Sequence, residues 1–484
     1  MSAKRRSIAI VGGGFGGVGA AAMLRRAGYE DVTVFEKGER IGGVWQANTY
    51  PGAACDIPSH LYEFSFAPNA WSRRFSPGPE IRAYIEGVAR RFGVFDKVRT
   101  GVEVTRAHWD EERGKWQLET SAGPHEADVL LTACGQLSVP KVPPIAGLET
   151  FEGPAFHTAE WRHDVELAGK RVALIGTGCS AIQVGPAIQP EVAQLDVYQR
   201  SPGWTLSKGD HAYSPRMRAA FRRLPALRRL DRAAIYAFQD LAAVAFTQRR
   251  WLLPLFRFLG MRQIKAAISA PELRAKVTPA YEFGCKRIML TDDWYPTLTE
   301  GNVELVATGI DRVTPGGILD ATGTERPADA IVLATGFASH DFVAPMEIAG
   351  RDGRSLSSAW EEVARAYLGL SVPGFPNMFL LYGPNTNGGS GSVVNTLECG
   401  VGHVLAALGE MERAGADRIE VKPEAAESFD RELRAALAGT VWQSGCSNWY
   451  VDENGNDPSN WPWTWTAYRR RTRELVPGAY ALAS

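Results

Sequence analysis

The residues with the plainest chemistry are glycines. Ser7 to Gly28 reads SIAIVGGGFGGVGAAAMLRRAG, and Gly12, Gly14 and Gly17 fit GxGxxG between the apolar run Ile8 to Val11 and a helix-forming stretch. At that spacing one glycine makes a tight bend, one lets backbone approach a pyrophosphate, and one lets helix pack on strand. The phosphate oxygens would meet free N–H groups in the helix's first turn. Glu36 closes the next apolar run 24 residues after Gly12, where a carboxylate accepts the 2′-hydroxyl of an adenosine ribose.

The pattern returns once. RVALIGTGCSAIQVGPAI, Arg171 to Ile188, places Gly176, Gly178 and Ala181 in the GxGxxG/A positions, with Ser180 in the same turn as a further candidate ligand. The next strand ends at Arg200, again 24 residues on, but the residue is now a cation. A carboxylate repels a 2′-phosphate, whereas a guanidinium binds one bidentately. Two unlike dinucleotides follow, one with a free ribose hydroxyl and one phosphorylated, and FAD with NADPH is the economical pair. The alternative for Arg200 is a solvated arginine at a strand end.

These turns require an α/β chain with two Rossmann-like dinucleotide-binding domains, for FAD and NADPH, and a helical insertion. The expected division is 1–145 for the first part of the FAD domain and 146–215 for the first part of the NADPH domain. The insertion is 216–275, with the NADPH domain resuming over 276–327 and the FAD domain over 328–484. The proline-rich link SVPKVPPIAG, from Ser138, marks the first boundary, and the like segments DVLLTACG and DAIVLATGF would each pass the chain between domains. Residues 79–92 read as a helix and 102–119 as a hairpin-like excursion. Tryptophans 449, 461, 463 and 465 in the tail read chiefly as packing residues.

The insertion carries twelve Arg and Lys over residues 216–265 against Asp231 and Asp240. Its simplest reading is the solvated face of helices packed on a domain. Attraction to an anionic membrane or partner, or a lid over a pocket, are the others.

Over 484 residues, 53 basic side chains against 54 acidic ones favour neither nucleic acid nor an acidic polymer as partner. The six cysteines include no CxxC pair and are too sparse for a disulfide framework, which makes a reducing, cytoplasmic setting the default. The basic, apolar opening resembles a secretory signal, but cleavage there would discard the phosphate-binding glycines. No uncharged run approaches the roughly 20 apolar residues of a bilayer span. No HExxH, Cys/His cluster, GxSxG or GxxxxGK[ST] is present, so neither a resident metal nor an ATP site is expected.

Three patterns along most of the chain resemble the type I Baeyer–Villiger monooxygenases, of the class B flavin-dependent monooxygenases. FEGPAFHTAEW matches FxGxxxHxxxW with Phe151, Gly153, His157 and Trp161; related nitrogen and sulfur oxidisers usually carry tyrosine or phenylalanine in place of that tryptophan. GGVWQANTYPGAACD matches GxWxxxx(F/Y)PGxxxD with Gly43, Trp45, Tyr50, Pro51, Gly52 and Asp56. GCKR, Gly284 to Arg287, resembles the segment that brings a lysine to the NADPH phosphate and an arginine to the flavin. Arg162 departs from the proline or aspartate often found after the tryptophan.

The resemblance implies that NADPH reduces FAD and that O2 forms a flavin C4a-peroxide. That peroxide attacks a small-molecule ketone, and a carbon group migrates to give an ester or lactone. It assigns Arg287 and Asp56 as catalytic residues, Lys286 to the phosphate of NADPH, Trp45 to the cofactor site and Trp449 to the nicotinamide ribose. Alone, Asp56 reads as a turn or N-cap aspartate and Lys286 as a solvated lysine. His157 and Trp161, between the proline-rich link and the second glycine turn, suit hinge packing better than substrate contact. The competing readings are an N- or S-oxygenating flavin monooxygenase and a dinucleotide-binding sensor without turnover.

Overall fold

The computed structural model describes residues 6–484. Two five-stranded parallel sheets organise it. The first runs, in spatial order, Met378–Leu380, Val129–Thr132, Ile8–Val11, Val32–Glu36 and Val98–Thr100. The second runs Val303–Val306, Gln194–Tyr198, Arg171–Ile175, Ala330–Leu333 and Ala155–His157. In each, the strand before the glycine turn is central, and the chain builds outward from it in both directions. The glycines therefore lie at the carboxyl end of a topological switch point, where doubly wound sheets bind ligands. Buried on both faces, these strands read as continuous apolar runs; Ile8, Ala9, Ile10 and Val129 to Leu131 are at most 1% exposed.

Sterics explain the glycines. Gly12 has φ +110°, and a Cβ there would lie 2.4 Å from the Ala133 carbonyl oxygen. A Cβ on Gly17 would sit 1.8 Å from the Gly12 oxygen, while Gly178 faces open space.

The chain crosses between the sheets along two segments that pair with each other. Lys141 N–H donates to Gly336 O at 2.9 Å, and Ala338 N–H to Val139 O at 2.9 Å. His157 ends its edge strand beside this crossing, edge-on to Phe337 with ring centroids 5.6 Å apart. Strand Ala330–Leu333 belongs to the second sheet, so that sheet's last strand comes after residue 327, where the sequence reading already returns to the first domain. The excursion expected at 102–119 is larger than a hairpin. Val104–Asp110, Lys115–Thr120 and Gly123–Ala127 form an antiparallel sheet that Glu347–Ala349 joins from far down the chain.

The insertion is helical: Pro215–Arg223, Pro225–Thr247, Leu253–Ala267 and Pro271–Val277. Tail residues Trp461 and Trp465 are core residues, as expected.

The cysteine reading needs correction. Cys285 and Cys446 form a disulfide, with Cα atoms 6.2 Å apart, that ties the GCKR segment to the tail. A separation of 161 residues leaves no local spacing for a sequence to display. Cys55, Cys134, Cys179 and Cys399 are free.

Gly17→Ala is expected to lower the melting temperature clearly, since overpacking costs about 1–3 kcal/mol, whereas Gly178→Ala should melt like the parent. Equal melts would show that the first turn has room for a side chain. Cys446→Ser should cost about 2–4 kcal/mol of stability. Non-reducing peptide mapping of the parent should recover the 285–446 pair, and two free thiols there would refute it.

Candidate active site

At the first sheet's mouth, Glu36 holds the turn together. Its Oε2 accepts from Gly13 N–H and its Oε1 from Gly38 N–H, both at 2.7 Å. A carboxylate has about four lone-pair sites, so two remain for a ribose hydroxyl. The helix beyond, Phe15–Arg26, has Gly14 as N-cap, no side-chain cap and no acidic residue in its first turn, which leaves its leading N–H groups for an anion. Gly43 folds onto this turn; a Cβ on Gly14 would be 3.3 Å from the Gly43 Cα. Trp45 follows and donates its indole N–H to the Tyr62 hydroxyl at 3.0 Å.

At the second mouth, Gly176 has φ +117° and would clash with the Ala334 oxygen if it bore a side chain. Helix Ala181–Ile188 starts at Ser180, again with no side-chain cap and no acid in the first turn. Arg200 is exposed at the end of its strand, with no carboxylate partner among the described residues. Lys286 Nζ donates to Ser201 Oγ at 2.8 Å and lies over the Tyr281 ring at 4.8 Å. Burial, then the Arg200 charge, pulls the Lys286 pKa down. Two cations thus converge on one spot without a neutralising acid. A phosphate monoester fits such a pair, and the spot lies where the 2′-position of a second dinucleotide is expected.

Asp56 and Arg287 meet between the two mouths. Arg287 Nη2 donates to Asp56 Oδ2 at 2.5 Å, and the side chains are 32% (Arg287) and 25% (Asp56) exposed. The carboxylate raises the arginine's pKa well above its ordinary value, outweighing burial. Burial pushes Asp56 upward, but the charge and hydrogen bond of Arg287, with Lys208 farther off, hold it below the usual range. Both groups therefore stay ionised through neutral pH. Around them burial raises the pKa of Cys179, in the second glycine turn, and pushes Tyr382 up to about 12. Tyr450 is fully buried, its phenol also shifted upward by burial, and its hydroxyl has no hydrogen-bond partner among the described residues.

The loop that carries Asp56 is clamped to the second domain. Tyr50 donates its hydroxyl to Gln183 Oε1 at 3.0 Å, and Gln183 Nε2 donates to the Ala54 oxygen at 2.9 Å. Gly52 is required here, because a Cβ would lie 2.5 Å from the Gln183 carbonyl oxygen. One loop therefore rests on the first glycine turn at Gly43 and on the helix after the second at Gln183. Asp56 faces Arg287 where those supports meet.

The structure brings the expected residues into three neighbouring groups: Gly12, Gly14, Gly17, Glu36 and Trp45; Gly176, Gly178, Ser180, Arg200 and Lys286; and Asp56 with Arg287. Trp449 adjoins the third through Tyr450, with ring centroids 4.4 Å apart, and its carbonyl accepts from His340 Nε2 at 3.0 Å. Sequence reasoning missed Ser201, Gln183, Cys179 and Tyr450. Only Ser201, directly after Arg200, carried a signal in its position.

Residues 9–244 match the family model for pyridine nucleotide-disulphide oxidoreductase. The cysteines in that segment, Cys55, Cys134 and Cys179, are all free. Along nearly its whole length the chain is 43% identical to a Baeyer-Villiger monooxygenase of Streptomyces coelicolor, covering 98% of this chain and 92% of that protein. Among solved structures it is similar to an oxidized steroid monooxygenase bound to NADP, with a TM-score of 0.89, 32% identity and 99% coverage of each chain. It is also similar to OTEMO in complex with FAD and NADP, with a TM-score of 0.87, 26% identity and 100% coverage of each. On its full-length likeness to the Streptomyces protein, supported by these folds, the chain belongs to the Baeyer–Villiger monooxygenases.

Proposed function

We propose that this protein uses NADPH and O2, through bound FAD, to insert an oxygen atom beside a ketone carbonyl, giving an ester or lactone. The observation that carries the proposal is the Asp56–Arg287 ion pair set between two dinucleotide mouths. When bound, the flavin and nicotinamide supply hydride transfer and oxygen activation; the protein positions them and manages charge.

Glu36 holds the adenosine ribose of FAD, and the uncapped helix behind Gly12, Gly14 and Gly17 faces its pyrophosphate. Trp45 walls that site. Gly176, Gly178 and Ser180 take the pyrophosphate of NADPH, and Arg200 with Lys286 takes its 2′-phosphate. Trp449 borders the nicotinamide end, next to the unpartnered Tyr450 hydroxyl. Arg287 stabilises the negative charge that develops on the reacting oxygen, and it can do so at any working pH because it never loses its proton. Asp56 keeps it aimed. Without that carboxylate the half-buried cation would turn toward water.

The domain division follows the sheets, with the second domain extended through Leu333. We place the enzyme in the cytoplasm, where NADPH serves as reductant. No helix among the described residues is long and apolar enough to cross a membrane.

Purified yellow protein incubated with NADPH, air, a ketone panel and a thioether tests the reaction: an ester or lactone is expected, and a sulfoxide without ester would overturn it. Arg287→Ala should keep flavin and NADPH-driven bleaching yet lose about 10²–10³-fold in ester formation; parental ester yield would remove Arg287 from its role. Arg200→Ala should lower the preference for NADPH over NADH by about 10-fold or more. Because Lys286 titrates below an ordinary lysine, that preference should fade as pH rises into the alkaline range, and Lys286→Met should flatten the profile. Kinetics with both nucleotides across pH check this, and unchanged selectivity in Arg200→Ala would move the phosphate site elsewhere.

A further inference from the structure

The helical insertion exposes arginines, as its sequence favours, and a large apolar surface beside them. Of fifteen large apolar side chains exposed on the described surface, ten lie between Met217 and Leu259. On the Pro225–Thr247 helix, Leu227, Leu230, Phe238 and Leu241 recur at near-helical spacing along the outer face, while Ile235, Ala242 and Phe246 pack inward. Leu255, Phe258 and Leu259 do the same on the Leu253–Ala267 helix, and the turn between the two exposes Trp251. Exposure reaches 72% at Trp251, 68% at Leu230 and 63% at Phe258.

Charge on this face has one sign. Both acids of residues 215–267 turn inward: Asp231 pairs with His60 Nδ1 at 2.7 Å, and Asp240 Oδ1 accepts from Trp465 N–H at 2.6 Å. Arg222, Arg229, Arg249, Arg257 and Arg262 are exposed, with no carboxylate partner among the described residues. Leu, Phe and Trp along helices flanked by unpaired arginines are the composition of segments that lie in a membrane interface. A second copy is disfavoured, since a two-fold contact would set this cationic face against itself.

We propose that residues 215–267 dock on an anionic phospholipid bilayer. The apolar stripes enter the headgroup boundary, and the arginines meet lipid phosphates and carboxylates. The anionic cytoplasmic leaflet is the matching surface. The inner side of the same helix reaches the candidate site. A Cβ on Gly284, next to Cys285, Lys286 and Arg287, would lie 2.8 Å from the Phe246 ring, and Gln239 Oε1 accepts from Gly391 N–H at 3.0 Å. Resting on the ketone reading, this places the site against the phase into which apolar ketones partition.

Cosedimentation of the FAD-loaded full chain with large vesicles tests the proposal. Vesicles of phosphatidylcholine with one quarter phosphatidylglycerol should bind at least about 10-fold better than phosphatidylcholine alone, and 0.5 M salt should weaken binding. Trp251→Ser with Phe258→Ser should reduce binding about 10-fold or more and abolish the blue shift in tryptophan emission. NADPH oxidation with a water-soluble ketone, without vesicles, should stay at the parental rate. That assay separates failure of the docking proposal from failure of the ketone reading. Docking is overturned by equal binding to both vesicle types, by undiminished binding in the double variant, or by binding to soluble polyglutamate as tight as to vesicles. A dimer in light scattering that the double variant dissolves also overturns it.

Discussion

A guanidinium held against a carboxylate inside a protein is a constraint before it is a catalyst. Removing one partner of a fully buried pair costs about 3–5 kcal/mol, and solvent screening lowers that figure where a quarter to a third of each side chain remains exposed, as for Asp56 and Arg287. The pair joins segments 231 residues apart, one leaning on the first glycine turn and one carrying Lys286. The guanidinium is charged at any working pH and keeps Asp56 ionised, and the carboxylate in turn sets its direction. The clamp at Gln183 and the cross-link at Cys285 both bear on the backbone that presents these two side chains.

The two mouths show how one local motif yields opposite chemistry. Both turns place bare helix N-termini at the centre of a parallel sheet, which suits pyrophosphate irrespective of the nucleotide. The two differ at the end of the next strand. At Glu36 two backbone N–H groups hold a carboxylate against the turn. At Arg200 the charge is reversed, and Lys286 arrives from a distant segment to double it. One residue at a fixed offset carries opposite charge in the two turns, and on that difference the proposed choice between ribose hydroxyl and ribose phosphate rests.

Much of this was legible because it is local. The glycine spacings, the acid or base 24 residues on, and the buried strands are written in short windows, and the three longer patterns gave Asp56, Trp45 and Arg287 by resemblance. What escaped is non-local. Cys285 and Cys446 carry no shared spacing, and Gln183 is an ordinary helix glutamine until Tyr50 and Ala54 fold onto it. The strand at 330–333 belongs to the second sheet because of pairing that composition does not encode. The apolar stripe on the insertion escaped for another reason. Its arginines dominate the composition, whereas its character depends on which helix face the leucines and phenylalanines occupy.

The paired crossing at 139–141 and 335–338 restricts relative motion. A single covalent strand would let two units swivel, slide and separate. Two hydrogen-bonded strands form a short ribbon, stiff in its own plane and compliant about its long axis. A two-strand crossing leaves the two sheets fewer independent ways to shift than a single strand, and the His157 ring lies against it at Phe337. A joint of this kind opposes sliding and twisting apart of the two sheets more than bending along one axis.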